Sequence, residues 1–141
     1  HLFDLLSTTA REHPEAEAFI SKDSRCTFEQ LHKTSLTIAA HFHKQGIGRG
    51  MRVALVCSNG IPFVSAVFAL LRLGAVSVPL NWRLTPHELS AQLEHADAAW
   101  LLHDEACATG LPSAPQLRTL CIDTGMALLE TGPVLPPPPL A

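Results

Sequence analysis

Residues 52–57, RVALVC, form a short run dominated by valine and leucine, and the polar cluster Ser58-Asn59-Gly60 ends it. Apolar residues at successive positions suit a strand covered on both faces. From 61 to 73 the apolar residues lie almost all round a helical wheel, which predicts a buried helix, and Gly74 stands where a helix commonly stops in the left-handed conformation. Residues 75–80 are again β-branched and apolar until Pro79 removes a backbone donor. Thr85-Pro86-His87-Glu88 then meets three helix-start rules at once: Thr85 as the cap, Pro86 at the first helical position, and Glu88 reaching back to complete a capping box. Strand, helix, strand and helix at this spacing predict a βαβ crossover, which builds parallel sheets through right-handed connections.

The flanking segments extend the alternation. Leu2, Phe3, Leu6 and Ala10 fit one face of a short helix over 2–12, ended by His13-Pro14. Residues 18–21 and 25–28 flank Lys22-Asp23-Ser24, a polar hairpin turn. Thr27, with Gln30 three positions on, opens a second capped helix that carries Phe28, Leu31, Ile38, Ala39 and Phe42 as a core stripe up to Gly46 and Gly48. Beyond the helix that starts at Thr85 and runs toward His95, residues 98–102 (AAWLL) predict a third core strand. A short helix over 105–109 and a fourth strand over 118–122 follow. The expected fold is α/β, with a mainly parallel sheet and helices on both faces. No solenoid repeat interrupts it, and the one low-complexity segment is GPVLPPPPLA from Gly132.

Composition narrows the function classes. With 141 residues, 47% of them hydrophobic, the chain can bury a core of ordinary size as one domain or one lobe. Its net charge of −3 and ten scattered Lys and Arg leave no basic stripe, so no nucleic-acid partner is expected. Cys26, Cys57, Cys107 and Cys121 contain no CxxC pair and read as small, reduced, mostly buried hydrophobes, which implies a cytosolic (cytoplasmic) setting. The apolar stretch 61–80 is divided by Gly74 and Pro79 into a helix too short to cross a bilayer and a strand, so no transmembrane segment is expected. The chain begins at His1 without an initiator methionine or leader and closes on a proline tract of linker composition. It therefore reads as an N-terminal piece, with 1–131 the folded part and 132–141 a linker.

Candidate chemistry is sparse. Dinucleotide, P-loop, nucleophile-elbow and zincin motifs are all missing from the sequence, and no catalytic or metal-binding residue is assigned. His41 and His43 point to different faces of a helix, where solvent exposure or a satisfied edge is expected. Glu88, beside His87, already has a capping role. Asp97 and Asp104 bracket the third strand, Asp104 as a cap for the short helix, and Asp123-Thr124-Gly125 predicts a turn at a position where doubly wound sheets often place ligands. Arg83 stands out. It follows a strand end in Asn81-Trp82-Arg83-Leu84, at the carboxyl edge where open α/β sheets bind ligands, and its guanidinium can grip a phosphate. The competing reading is a surface arginine packed on Trp82 or paired with Glu88.

Three segments together, CTFEQL at 26–31, GIGRGMRVALVCSN at 46–59 and ALLRLGAVSVPLNWRLTPHEL at 69–89, resemble the N-terminal part of the AMP-forming acyl-CoA synthetases of the adenylate-forming superfamily. The resemblance covers the chain up to about Cys121 and implies the N-terminal subdomain of such an enzyme. It also implies a parent enzyme that uses ATP and Mg2+ to convert a small-molecule carboxylic acid into an acyl-adenylate, then passes the acyl group to coenzyme A. The family's Ser/Thr/Gly-rich phosphate loop, aromatic-Thr-Glu segment, ribose-binding Asp and catalytic Lys have no counterpart in these 141 residues. The chain alone is accordingly expected to be inactive and to bind no cofactor firmly. In some CoA ligases that look like this chain, the arginine at the place of Arg83 lies near the nucleotide phosphate of CoA, which implies a cofactor contact for Arg83. Peptide-synthetase adenylation domains tend to carry Asp where Asn81 stands, which favours a CoA ligase. An amino-acid adenylation domain and a truncated, non-enzymatic binding lobe remain the alternatives.

Overall fold

A computed structural model describes residues 1–131, and the proline-rich linker expected over 132–141 lies outside the described residues. Four parallel strands form the main sheet in the order β4-β3-β5-β6, comprising β3 (Arg52–Val56), β4 (Val76–Pro79), β5 (Trp100–His103) and β6 (Arg118–Cys121). The register brings Ala54 between Val78 and Leu101, and Leu55 between Pro79 and Leu102. Pro79 is tolerated because β4 is an edge strand, where a missing donor faces no neighbour.

Near-continuous apolar runs resolve into two faces because successive side chains alternate. Val53, Leu55, Trp100 and Leu102 share one core with α2 (Phe28–Lys44), α3 (Ile61–Leu73) and α5 (Ile122–Thr131). Ala54, Val56 and Leu101 pack on the other face with Leu89 and Leu93 of α4 (Pro86–Ala96) and with Cys107 of a 3₁₀ helix, Glu105–Gly110. A third cluster holds α1 (Leu2–Glu12) and the antiparallel hairpin β1 (Glu17–Ile20) and β2 (Arg25–Thr27) against α2, through Phe3, Leu6, Cys26 and Leu31.

The local signals act where they were expected. Both capping boxes form: Thr27 Oγ1 accepts from Gln30 N at 3.2 Å, and Thr85 Oγ1 accepts from Glu88 N at 3.3 Å. The reciprocal bonds run from Thr27 N to Gln30 Oε1 at 2.9 Å and from Thr85 N to Glu88 Oε2 at 2.8 Å. Gly74 ends α3 at φ 67°, a left-handed conformation that a side chain with Cβ resists. Leu2 departs from the expected stripe and is exposed, whereas Phe3, Leu6 and Ala10 are buried.

Two expectations are corrected. Asp123-Thr124-Gly125 is not a turn but the first part of α5. Ile122 is buried in the main core and Met126, one helical turn on, packs against it. That burial offsets the ~1 kcal/mol that a glycine costs in a helix. The second correction follows from the first. A Cβ on Gly125 would lie 3.7 Å from His41 Cδ2 and 3.7 Å from Ile38 Cγ1, so α5 covers this side of α2. His41 is therefore buried rather than exposed, with Nε2 lacking a hydrogen-bond partner. Its pKa is lowered, first by burial and then by the charge of Lys44. His43, two residues on, faces solvent.

Ser65 in α3 is also fully buried, and its hydroxyl has no hydrogen-bond partner. A buried, unsatisfied hydroxyl costs free energy, so Ser65→Ala should raise the free energy of unfolding by about 1 kcal/mol. A urea midpoint below that of the parent chain would contradict this.

Candidate functional site

The strand order places the chain reversal at β3. The connection through α3 leads to β4 on one side, and the connection through α4 crosses to β5 on the other. Open α/β sheets bind ligands beyond the carboxyl ends of their strands at such a reversal. The candidate site lies at this edge. A cleft of about 250 Å3 is lined by Cys57 and Asn59 after β3, Phe63 in the first turn of α3, and Pro79, Leu80, Asn81, Trp82 and Arg83 at and after β4.

Arg83 is the cation of this lining. Its backbone N donates to Asn81 Oδ1 at 3.0 Å, and Leu84 N donates to Asn81 O at 3.1 Å, so Asn81 shapes the turn that presents the arginine. The Arg83 guanidinium carbon lies 5.1 Å from the centroid of the Trp82 ring. That is cation–π range, and Trp82 itself stays 40% exposed. Of the two surface roles foreseen for Arg83, packing on Trp82 is present. Pairing with Glu88 is not, because the Glu88 carboxylate accepts from Thr85 N and from Thr85 Oγ1 at 2.9 Å. These bonds, backbone first, hold the Glu88 pKa below its ordinary value. Among the described residues no carboxylate forms an ion pair with Arg83, so its guanidinium is available to an anion at the cleft rim.

The other sequence candidates scatter. His87 sits exposed on α4, and Asp97 ends that helix in a left-handed conformation at φ 50°. Asp104 caps the 3₁₀ helix as expected, with Oδ1 accepting from Cys107 N at 3.0 Å. Asp123 Oδ2 accepts from Glu105 N at 2.8 Å. No group of three or more metal-ligating side chains occurs among the described residues. Cys26, Cys57 and Cys107 are buried and free. Burial, reinforced by the nearby Asp104 and Cys107, raises the Cys57 pKa, and burial together with the Asp104 hydrogen bond pushes the Cys107 thiol up to about 12. Both remain protonated thiols at neutral pH, without the thiolate a nucleophile needs.

One arrangement was not foreseen. Ser58 N donates to Asp104 Oδ2 at 2.9 Å, and the Ser58 hydroxyl donates to the same oxygen. Each residue could be read as ending a strand, but their meeting depends on β3 and β5 being sheet neighbours. No local pattern states that.

A doubly wound sheet with a cleft at its carboxyl edge and an arginine on the rim defines an α/β lobe with a candidate ligand site. Comparison with known proteins places it more closely. The sequence profile described as "AMP-binding enzyme" matches residues 6–136. The chain belongs to the AMP-binding enzyme family.

A medium/long-chain-fatty-acid–CoA/3-oxocholest-4-en-26-oate–CoA ligase of Mycobacterium marinum is 29% identical over 126 residues, covering 86% of this chain and 23% of that ligase. A 2-succinylbenzoate–CoA ligase of Bacillus anthracis is 34% identical over 92 residues, covering 65% of this chain and 19% of the ligase. The chain thus spans about a quarter or less of the length of these relatives. Among solved structures, the N-terminal subdomain of Klebsiella oxytoca NpsA in complex with 3-hydroxybenzoyl-AMSN superposes with a TM-score of 0.88 and 21% identity, over 99% of this chain and 34% of that one. At that identity it speaks for the fold alone. The o-succinylbenzoate CoA synthetase of Bacillus subtilis, bound to the acyl-adenylate intermediate OSB-AMP, gives a TM-score of 0.76 at 28% identity, over 86% of this chain and 32% of that one. No described helix is long and apolar enough to cross a membrane.

Proposed function

We propose that this chain is the N-terminal lobe of an ATP-dependent carboxylic acid:CoA ligase. The parent enzyme joins an acid to ATP, forming acyl-adenylate and pyrophosphate, and then transfers the acyl group to the thiol of CoA with release of AMP. ATP, Mg2+ and CoA are the parent's cofactors, and a small-molecule carboxylic acid is its substrate. The observation that carries this reading is the family match together with curated relatives named as acid:CoA ligases. Residues 1–141 by themselves should catalyse nothing, because the phosphate loop and catalytic Lys that the resemblance leads one to expect, which would supply the cations and amides that stabilise charge in adenylate formation, have no match in this sequence.

Within the lobe, Arg83 is the proposed contact to the nucleotide phosphate of CoA. Trp82 holds the guanidinium in place at the cleft rim, and the charge, which has no carboxylate partner among the described residues, offers charge-assisted hydrogen bonds to phosphate oxygens. Calorimetric titration of the chain with CoA should show weak binding. Arg83→Ala should reduce it by about tenfold, the scale of hydrogen bonds to a charged group. Equal heats from parent and variant would remove Arg83 from the site.

A second reading is compatible with the same fold. An artificially fused adenylation–PCP di-domain of the peptide-synthetase class from Klebsiella oxytoca superposes with a TM-score of 0.88 at 22% identity. An amino-acid adenylation domain would load a carrier protein instead of CoA. Pyrophosphate release from the complete polypeptide, followed by analysis of the thioester formed with each acceptor, separates the two readings. Residues 1–141 alone should release no pyrophosphate with any acid tested, and turnover from them would overturn the account of a partial catalytic apparatus.

A further inference from the structure

Asp104 lies where β5 ends, across the chain reversal from the Arg83 turn, and is only 8% exposed. Its two oxygens do different work. Oδ1 accepts from Cys107 N and caps the 3₁₀ helix, which is all that a cap requires. Oδ2 reaches back to the other side of the reversal and accepts from both the backbone N and the hydroxyl of Ser58. Ser58 lies in the turn at 57–60 between β3 and α3. Its neighbours Cys57 and Asn59 line the cleft together with Pro79 to Arg83. The carboxylate therefore ties one wall of the cleft to the central sheet.

We propose that Asp104 is a positioning residue for the cleft: by clamping Ser58 it fixes the turn at 57–60 so that Asn59 is held toward a ligand whose phosphate Arg83 grips. The proposal rests on the reading of this cleft as a CoA site. Asp104 itself touches no ligand and acts through Ser58 and Asn59. Burial alone raises the pKa of this carboxyl, but the hydrogen bonds from Cys107 and Ser58 overcome it and leave the group below its ordinary value. It stays an ionised acceptor for both Ser58 donors at neutral pH.

The conservative variant Asp104→Asn tests this. Its carbonyl oxygen can still cap Cys107 N, but its amide group then faces two Ser58 donors and cannot accept from them. Amide hydrogen exchange followed by NMR on the 141-residue chain should show Ser58 exchanging at least about tenfold faster, with Ala54 and Leu101 in the strands unchanged. Calorimetry should show CoA binding weakened about fivefold by Asp104→Asn and less by Ser58→Ala, which removes only the hydroxyl bond and keeps the test open if Asp104→Asn folds poorly. The double variant Asn59→Ala/Asp104→Asn should bind no more weakly than the weaker of its two single variants, because both losses run through one side chain. Unchanged exchange at Ser58, unchanged CoA affinity in Asp104→Asn, or additive losses in the double variant would each overturn the positioning role while leaving the CoA site intact. A parent chain that takes up no CoA even at millimolar concentration would overturn the CoA reading, and the positioning role with it.

Discussion

Phe42→Ala should lower the free energy of unfolding by about 4 kcal/mol, the scale of a phenylalanine truncated inside a packed core. Phe42 is completely buried on α2 and shares its cluster with Ile38, Ile47, Val53, Leu55 and Ile122. Truncation removes the ring from water-free surroundings and leaves a space bounded by two helices and the central strands, which cannot all close in at once. Domains of this size have about 5–15 kcal/mol in total, so the variant should sit near the edge of folding. Urea unfolding followed by circular dichroism should show a large drop in midpoint with little change in slope. A loss under about 1 kcal/mol would mean that α2 is loosely docked and that the main cluster is not the core of the molecule.

Ala69→Leu should cost about 2–3 kcal/mol for the opposite reason, overpacking. Ala69 is fully buried on α3, and Ala66 on the same helix and Ala39 on α2 are small and fully buried in the same cluster. Small residues there let α3 lie close to α2 and the sheet, so three added carbons have no free volume to enter. Either α3 shifts outward or the new side chain leaves its favoured rotamer. An outward shift also moves Phe63, which lies on α3 and lines the cleft with Arg83. The same variant should therefore weaken the CoA binding proposed for this cleft, whereas Phe42→Ala, measured at low denaturant where it is folded, should leave it nearly unchanged. A leucine accommodated at no cost would show that the α2–α3 contact is not tight.

Much of the architecture was legible along the chain because its signals are local. The two capping boxes, the αL glycine at the end of α3 and the valine-leucine run of β3 each depend on a handful of neighbouring residues whose backbone preferences agree with the final fold. Where local and tertiary preferences disagreed, the tertiary one prevailed. Asp123-Thr124-Gly125 has turn composition, yet Ile122 and Met126 gain more by packing on α2 and α3 as a helix than the segment loses through its glycine. His41 illustrates the same limit, since only the arrival of α5 makes its position an interior one.

The candidate site divides in the same way. Arg83 was visible because it follows a strand end beside a tryptophan, and its stacking on Trp82 is a contact between sequence neighbours. The Ser58–Asp104 clamp was not visible, because it joins residues 46 apart that meet only when β5 inserts beside β3.

The sequence by itself determined which segments are helix and strand over most of the chain, the α/β class, and the family, because capping, periodicity and motif content are written in short windows. Only the tertiary structure decided the strand order β4-β3-β5-β6, the burial of His41 and the clamp that braces the cleft wall. These depend on which distant segments become neighbours, and that choice is made by burying the two faces of one sheet at the same time, not by the preference of any residue for its own conformation.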